Sequence, residues 1–195
     1  MPTEGLLASW AGQVSPGFIF ALKAPQLITH LKRLRDVENE TGYLFRTLSV
    51  LKQKLGPVLF QFPGSFRADY PALNFFLTLV PRNISCAFEF RSRSWLEAEI
   101  LKLLRKRRYS LCIADSDENP ASTIVSTASW GYLRLHRSDY TDADLSQWME
   151  KISAQKWKSA FVFFKHGEDD AKGAELAVRF NNLIASRAIK SGTRR

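Results

Sequence analysis

Residues 86–95 read CAFEFRSRSW. The run from Cys86 to Phe90 is apolar and rich in strand-forming residues, and it breaks into a polar turn ahead of Trp95. Side chains alternate faces along a strand, so Glu89 and Arg91 share one face and Phe88 and Phe90 the other. An ionisable group on so apolar a strand needs a partner, because an unpaired buried charge is costly. The stretch predicts a strand whose Phe88 face is covered by helices. Its Glu89 face opens into a polar site at the C-terminal end. A structural Glu89–Arg91 ion pair is the plainer alternative.

The same kind of run recurs along the chain: GFIFALK (17–23), PVLFQFP (57–63), ISCAFEFR (84–91), YSLCIAD (109–115), GYLRLH (131–136) and AFVFFKH (160–166). Their wealth of Phe, Val, Ile and Leu fits strands covered on both faces, as in parallel sheets. Segments of helical spacing lie between them. SWLEAEILKLLRKR opens with a Ser94–Glu97 capping box, then sets Leu96, Ile100, Leu103 and Leu104 on one face. TDADLSQWMEKI opens with Thr141 and Asp144 in the same relation, and TGYLFRTLSVLKQKLG closes on Gly56, a C-cap before Pro57. DYPALNFFLTLV and AKGAELAVRFNNLIAS follow the second and last strands. Only 120–128 is weak, with room for one short helical turn.

Strands alternating with helices predict βα units in the α/β class, either a (β/α)-barrel or an open doubly wound sheet. The strand ends favour the barrel, where chemistry gathers at the C-terminal ends of the strands. In order they are Lys23; Gln61; Glu89 and Arg91; Asp115; Arg134 and His136; Lys165 and His166. Each has its own plain explanation. Asp115 could start a turn with Asn119-Pro120, His136 could be a satisfied core histidine, and Lys165-His166 an ordinary loop entry. One shared polar cup accounts for all of them more economically.

The chain has 195 residues, 45% apolar and 24% charged, and suits one globular domain, drawn over residues 1–188 with a basic flexible tail at 189–195. No apolar stretch is long enough to span a membrane, and MPTEGLLASWAGQVSPG lacks the pattern of a secretory leader. Cys86 and Cys112 read as small buried hydrophobes in a reducing, cytoplasmic setting. The net charge of +9 favours anionic partners, a small phosphorylated molecule or nucleic acid. KLLRKRRYS (102–110) holds five bases and SRAIKSGTRR (186–195) four. The first cluster reads foremost as a helix C-terminus, where cations favour the dipole.

No glycine-rich phosphate loop, GxSxG elbow, CxxC pair or HExxH helix is present. His30, His136 and His166 with Glu89 and Asp115 offer mixed donors for a divalent metal such as zinc, manganese or iron, at dispersed spacing.

Taken in order, FIFALKAPQLITHLKRL (18–34), LGPVLFQFPGSF (55–66), AFEFRSRSW (87–95), CIAD (112–115), GYLRLH (131–136) and FVFFKH (161–166) resemble the YecE-like family, domain of unknown function seventy-two. The resemblance covers almost the whole chain. It implies a TIM-barrel-like fold. It implies that Lys23, His30, Gln61, Glu89, Arg91, Trp95, Asp115, Arg134 and His136 occupy the family's motif positions, which adds His30 and Trp95 to the strand-end set. No settled activity comes with it. The outline is similar to metal-dependent endonuclease and sugar isomerase barrels, by analogy only. Many members have glycine where this chain has Arg137, and asparagines where it has Lys165-His166. Members also begin with two more βα units, so the expectation is an incomplete parallel array, about six strands of an expected eight, truncated at its N-terminus.

The expected function is an enzyme acting on a phosphorylated or other anionic substrate, hydrolase-like or nuclease-like. Lys23, His30, Gln61, Arg91, Trp95, Arg134, Lys165 and His166 would bind the substrate. Glu89, Asp115 and His136 would carry acid–base chemistry. The alternatives are a nucleic-acid binder without catalysis, using exposed aromatics such as Trp95, a sugar isomerase-like enzyme, and an inactive remnant.

Overall fold

The computed structural model describes residues 2–121, 123–164 and 171–192. The six apolar runs form strands β1 (Phe20–Lys23), β2 (Leu55–Phe62), β3 (Cys86–Phe90), β4 (Ser110–Ser116), β5 (Trp130–His136) and β6 (Ser159–Phe164). Each pairs in parallel with the next in sequence. The helices are α1 (Glu4–Gln13), α2 (Glu38–Leu48), α3 (Tyr70–Leu79), α4 (Ala98–Arg107), α5 (Asp142–Ser153) and α6 (Lys172–Gly192). The α/β class with a parallel sheet is as expected. The described residues hold six strands; the eight of a closed barrel are not among them. The connection between β4 and β5 carries no helical turn over its described residues. The boundary drawn at 188/189 falls inside α6, and residues 193–195 lie outside the described residues. No helix is long and apolar enough to cross a membrane among the described residues.

The chain divides into two compact units, Met1–Leu111 and Cys112–Arg195. In the first, Phe60 stacks on Phe88 across β2 and β3 at 5.4 Å and meets Phe76 of α3 edge-on at 5.1 Å. Phe88 therefore takes the helix-covered face, as the alternation in CAFEFR requires. Cys86 is fully buried, and burial pushes its thiol up, out of reach of ionisation. In the second unit Leu133 and Leu135 of β5 and Ile113 of β4 meet Leu145 and Trp148 of α5 and Leu176 and Phe180 of α6. The Thr141–Asp144 capping box forms in both directions, at 3.2 and 2.9 Å.

Two expected caps are not where the sequence placed them. Ser94 caps no helix. Its hydroxyl accepts from the Ala68 amide at 2.9 Å, and Arg93–Trp95 is a single 3₁₀ turn. Burial of Trp95 draws that turn inward, and α4 begins only at Ala98. Gly56 is no C-cap either, because it lies inside β2. The chain turns earlier, at Lys52, which takes φ 49° within a 3₁₀ segment, Ser49–Lys54. Gly56 is needed for close approach instead: a Cβ there would meet the Ile19 side chain and stand 2.9 Å from the Phe20 carbonyl oxygen. The 102–108 bases do sit at a helix end, with Arg105, Lys106 and Arg107 in the last turn of α4 and Arg108 in the left-handed cap.

Candidate functional site

In the first unit, strand register aligns three polar residues. Gln61 of β2 lies opposite Glu89 of β3, and Lys23 of β1 lies opposite Leu59, which shares a face with Gln61. Lys23 Nζ donates to Gln61 Oε1 at 2.6 Å, and Gln61 Nε2 donates to Glu89 Oε1 at 2.7 Å. Lysine can only donate and an ionised carboxylate can only accept, so the amide has one orientation and relays between them. Gln61 and Glu89 are 3% and 4% exposed, whereas Lys23 is exposed. Arg91 follows β3 and its Nε stands 3.6 Å from the same Glu89 oxygen, with its side chain 56% exposed. The pair is thus a buried carboxylate beneath a solvated guanidinium.

His30 lies on a π-helical turn, Leu27–Leu31, after β1. Its Nδ1 is 2.8 Å from the buried Thr29 hydroxyl, which fixes the ring. Burial holds its pKa below the ordinary histidine value, and the positive charges of Lys23 and Arg91 lower it further. Two cations, a neutral imidazole and one buried carboxylate make a site of positive balance that opens to solvent at Lys23 and Arg91. That donor set suits an anion. Among the described residues no three His, Cys, Asp or Glu side chains converge as metal ligands.

Trp95 is not an exposed contact. It is fully buried, stacked on Phe90 at 4.8 Å and 5°, and its indole N–H donates to the Phe66 carbonyl at 2.7 Å. The sequence pattern placed it near a strand end but could not show that Phe62, Phe66 and Phe90 enclose it. Trp95 therefore offers no surface for nucleic acid; the exposed aromatics are others, among them Trp10, Phe18, Tyr70 and Phe75.

In the second unit, register corrects the reading of Asp115. It lies opposite Leu135, on the covered face with Ile113 and Leu133. Arg134 lies opposite Ala114 and His136 opposite Ser116, on the other face of the sheet. Asp115 therefore cannot share a cup with Arg134 and His136. Its carboxylate is 1% exposed and already engaged. Oδ1 accepts from the Ala121 amide at 2.8 Å, and Oδ2 accepts from Arg137 Nε and the Tyr140 hydroxyl, each at 2.8 Å. Arg137 also lies over the Tyr140 ring, 4.5 Å from its centroid, and its amide donates to the Tyr140 oxygen at 3.1 Å. Burial pushes the Tyr140 phenol well above its ordinary pKa, so it remains a donor. Arg134 and His136 are half-buried on one face of β5. Lys165 and His166 lie outside the described residues.

With these positions known, comparison with other proteins gives the chain its place. A family model described as "Protein of unknown function DUF72" matches residues 1–194. The chain belongs to the DUF72 family. Among solved structures, a DUF72 family protein of Thermotoga maritima is 22% identical, with a TM-score of 0.78 over 95% of this chain and 80% of that one. A DUF72 family protein of Enterococcus faecalis is 20% identical, with a TM-score of 0.78 over 94% of this chain and 85% of that one. At these identities the likeness shows a shared DUF72 fold. No curated protein matches the chain.

Two members of the Asp115 network in this DUF72 chain escaped the sequence reading as site residues. In the sequence Arg137 stands out only as a departure from glycine, and Tyr140 lies beyond the strand end in a polar loop. The signal is a buried aspartate two residues ahead of the polar bend at 117–119, because it must find donors nearby.

Proposed function

We propose that Lys23, His30, Gln61, Glu89 and Arg91 form the binding and reaction site for a phosphorylated or otherwise anionic substrate, at the C-terminal ends of the strands of an incomplete TIM-like array. The carrying observation is the buried Glu89 carboxylate held by Gln61, with exposed Lys23 and Arg91 and a neutral histidine around it. Arg91 and Lys23 supply charge-assisted donors to the anion and to negative charge that develops during reaction. Glu89 and the neutral His30 supply acid–base capacity beside it. The class of reaction that uses these parts is hydrolytic.

The test is calorimetric titration with inorganic phosphate at fixed ionic strength. Wild type is expected to bind, and Arg91→Ala to weaken binding about tenfold, the worth of one charge-assisted hydrogen bond. Glu89→Gln removes a negative charge and is expected to bind phosphate at least as tightly while losing turnover of phosphate esters. No binding by wild type, or equal affinity in Arg91→Ala, overturns the assignment.

A further inference from the structure

We infer that the same site continues into a second anion subsite, formed by Arg33 and the Pro63–Phe66 turn, so that its ligand carries two or more linked anionic groups, as a polyphosphate does. The inference rests on the first subsite being an anion site.

The turn stands between two arginines. Its Phe66 amide donates to the Pro63 carbonyl at 3.0 Å, leaving Gly64 and Ser65 exposed at the tip. On one side is Arg91, whose Cβ is 3.9 Å from where a Cβ on Gly64 would lie. On the other is Arg33, whose Nη2 reaches the Ser65 hydroxyl at 3.4 Å and whose guanidinium lies 5.8 Å from the Phe66 ring centroid. The turn is held from below. Trp95 donates to the Phe66 carbonyl and packs edge-on against its ring at 5.0 Å. The turn thus has the stem of Arg91 against Gly64 and the guanidinium of Arg33 against Ser65 and Phe66.

Arg33 differs from the two other bases of its own segment. Lys32 is paired with Glu40 at 2.7 Å, and Arg35 with Asp69 at 2.9 Å. Arg33 is exposed and takes part in no carboxylate pair among the described residues; its contacts are a long bond to a neutral hydroxyl and a distant ring. Its backbone is also strained. Arg33 (φ 49°), Leu34 (φ 68°) and Asp36 (φ 50°) all take left-handed conformations, directly after the π-helical turn that carries His30. Non-glycine residues hold such angles only where the surroundings fix them, and such sites cluster where ligands are held. Here buried Leu34, with its amide bonded to the Ile28 carbonyl at 3.0 Å, anchors the segment and leaves Arg33 outward over the turn. A guanidinium with no carboxylate pair among the described residues, beside a hydroxyl and an exposed glycine–serine tip, suits a phosphate group.

The experiment is calorimetry with inorganic phosphate, pyrophosphate and tripolyphosphate on wild type, Arg33→Ala, Arg33→Lys and Arg35→Ala, at one ionic strength and with folding checked by circular dichroism. Wild type is expected to prefer the better of the two polyphosphates over phosphate by tenfold or more. Arg33→Ala should abolish most of that preference while leaving phosphate affinity within about twofold. Arg33→Lys should restore part of it. Arg35→Ala removes an equal charge and should leave the preference intact. Phosphate binding with no polyphosphate preference, or a preference that Arg33→Ala leaves unchanged, overturns the second subsite alone. Equal losses in Arg33→Ala and Arg35→Ala also overturn it, because general charge then explains the preference. Absence of phosphate binding by wild type overturns the first subsite, and this one with it.

Discussion

Arg137 Nε lies 2.8 Å from Asp115 Oδ2 in the second unit, and the carboxylate it meets is 1% exposed. Removing one member of such a pair leaves the other charge buried with fewer partners, which is what makes breaking it costly. Arg137 is partly solvated and Asp115 keeps two other donors, so the loss is smaller than for a fully enclosed pair. Arg137→Ala is expected to destabilise by about 1–3 kcal/mol in urea unfolding. Tyr140→Phe is expected to lose about 1–2 kcal/mol, with the tyrosine hydroxyl removed from the same oxygen. The double variant should lose measurably less or more than the sum, since both act on one carboxylate. Strict additivity would show that the two donors act on Asp115 independently.

His30 gives a direct view of the first-unit site. Its folded pKa lies below the ordinary 6.5, through burial first and then through Lys23 and Arg91. Well above pH 6.5 the ring is neutral in both folded and unfolded chains and adds no pH dependence. As pH falls from there, the unfolded chain binds its proton first, so stability declines until the folded pKa is passed. The imidazole proton resonance followed by pH titration should show the low midpoint. Arg91→Ala should raise it, and bound phosphate should raise it too. A midpoint unmoved by both would separate His30 from the site.

Gly131 of β5 is buried with the Trp157 ring directly above it, where any Cβ would collide with the indole. Trp157 Nε1 donates to the Ser126 hydroxyl at 2.8 Å, which resists its moving aside. Gly131→Ala is therefore expected to cost about 1–3 kcal/mol by overpacking, read from the thermal or urea midpoint. An unchanged midpoint would mean that the ring relocates freely. Gly64→Ala, at the exposed turn tip, serves as the control.

The fold was legible because each strand announces itself as a short apolar run, and parallel strands covered on both faces need little else. The Glu89 face was legible for a related reason. Period-two alternation within CAFEFR fixes which residues go together, and the register then brings Gln61 and Lys23 to the same face. The same alternation in YSLCIAD puts Asp115 with Ile113 on the covered face. Polar strand ends of opposite parity face opposite sides of the sheet and do not form one set. Ser94 and Gly56 went astray for another reason: a cap or a glycine has several uses, and the burial of Trp95 and the closeness of Phe20 decided between them. Those are contacts between residues distant in sequence, which no local pattern encodes. Arg33 was invisible for the same reason, since its partner turn lies some thirty residues on, Ser65 being 32 positions away.

Trp95 links the packing of the first unit to the proposed ligand. Its ring lies nearly parallel to Phe90 and edge-on to Phe66, and its N–H holds the Phe66 carbonyl. Trp95→Phe keeps most of the apolar contact but leaves that buried carbonyl without its indole donor, at an expected cost of about 1–3 kcal/mol. Trp95→Ala also opens a cavity among Phe62, Phe66 and Phe90 and is expected to cost about 3–5 kcal/mol. The milder variant is the informative one. The Pro63–Phe66 turn would keep its sequence while losing its support from below, so Ser65 and Arg33 should lose their fixed spacing from Arg91. The expected outcome is a folded Trp95→Phe protein whose phosphate affinity is close to wild type and whose polyphosphate preference is reduced several-fold, since misplacement weakens a two-point contact more than a one-point contact. Loss of stability with the preference intact would confine Trp95 to the core.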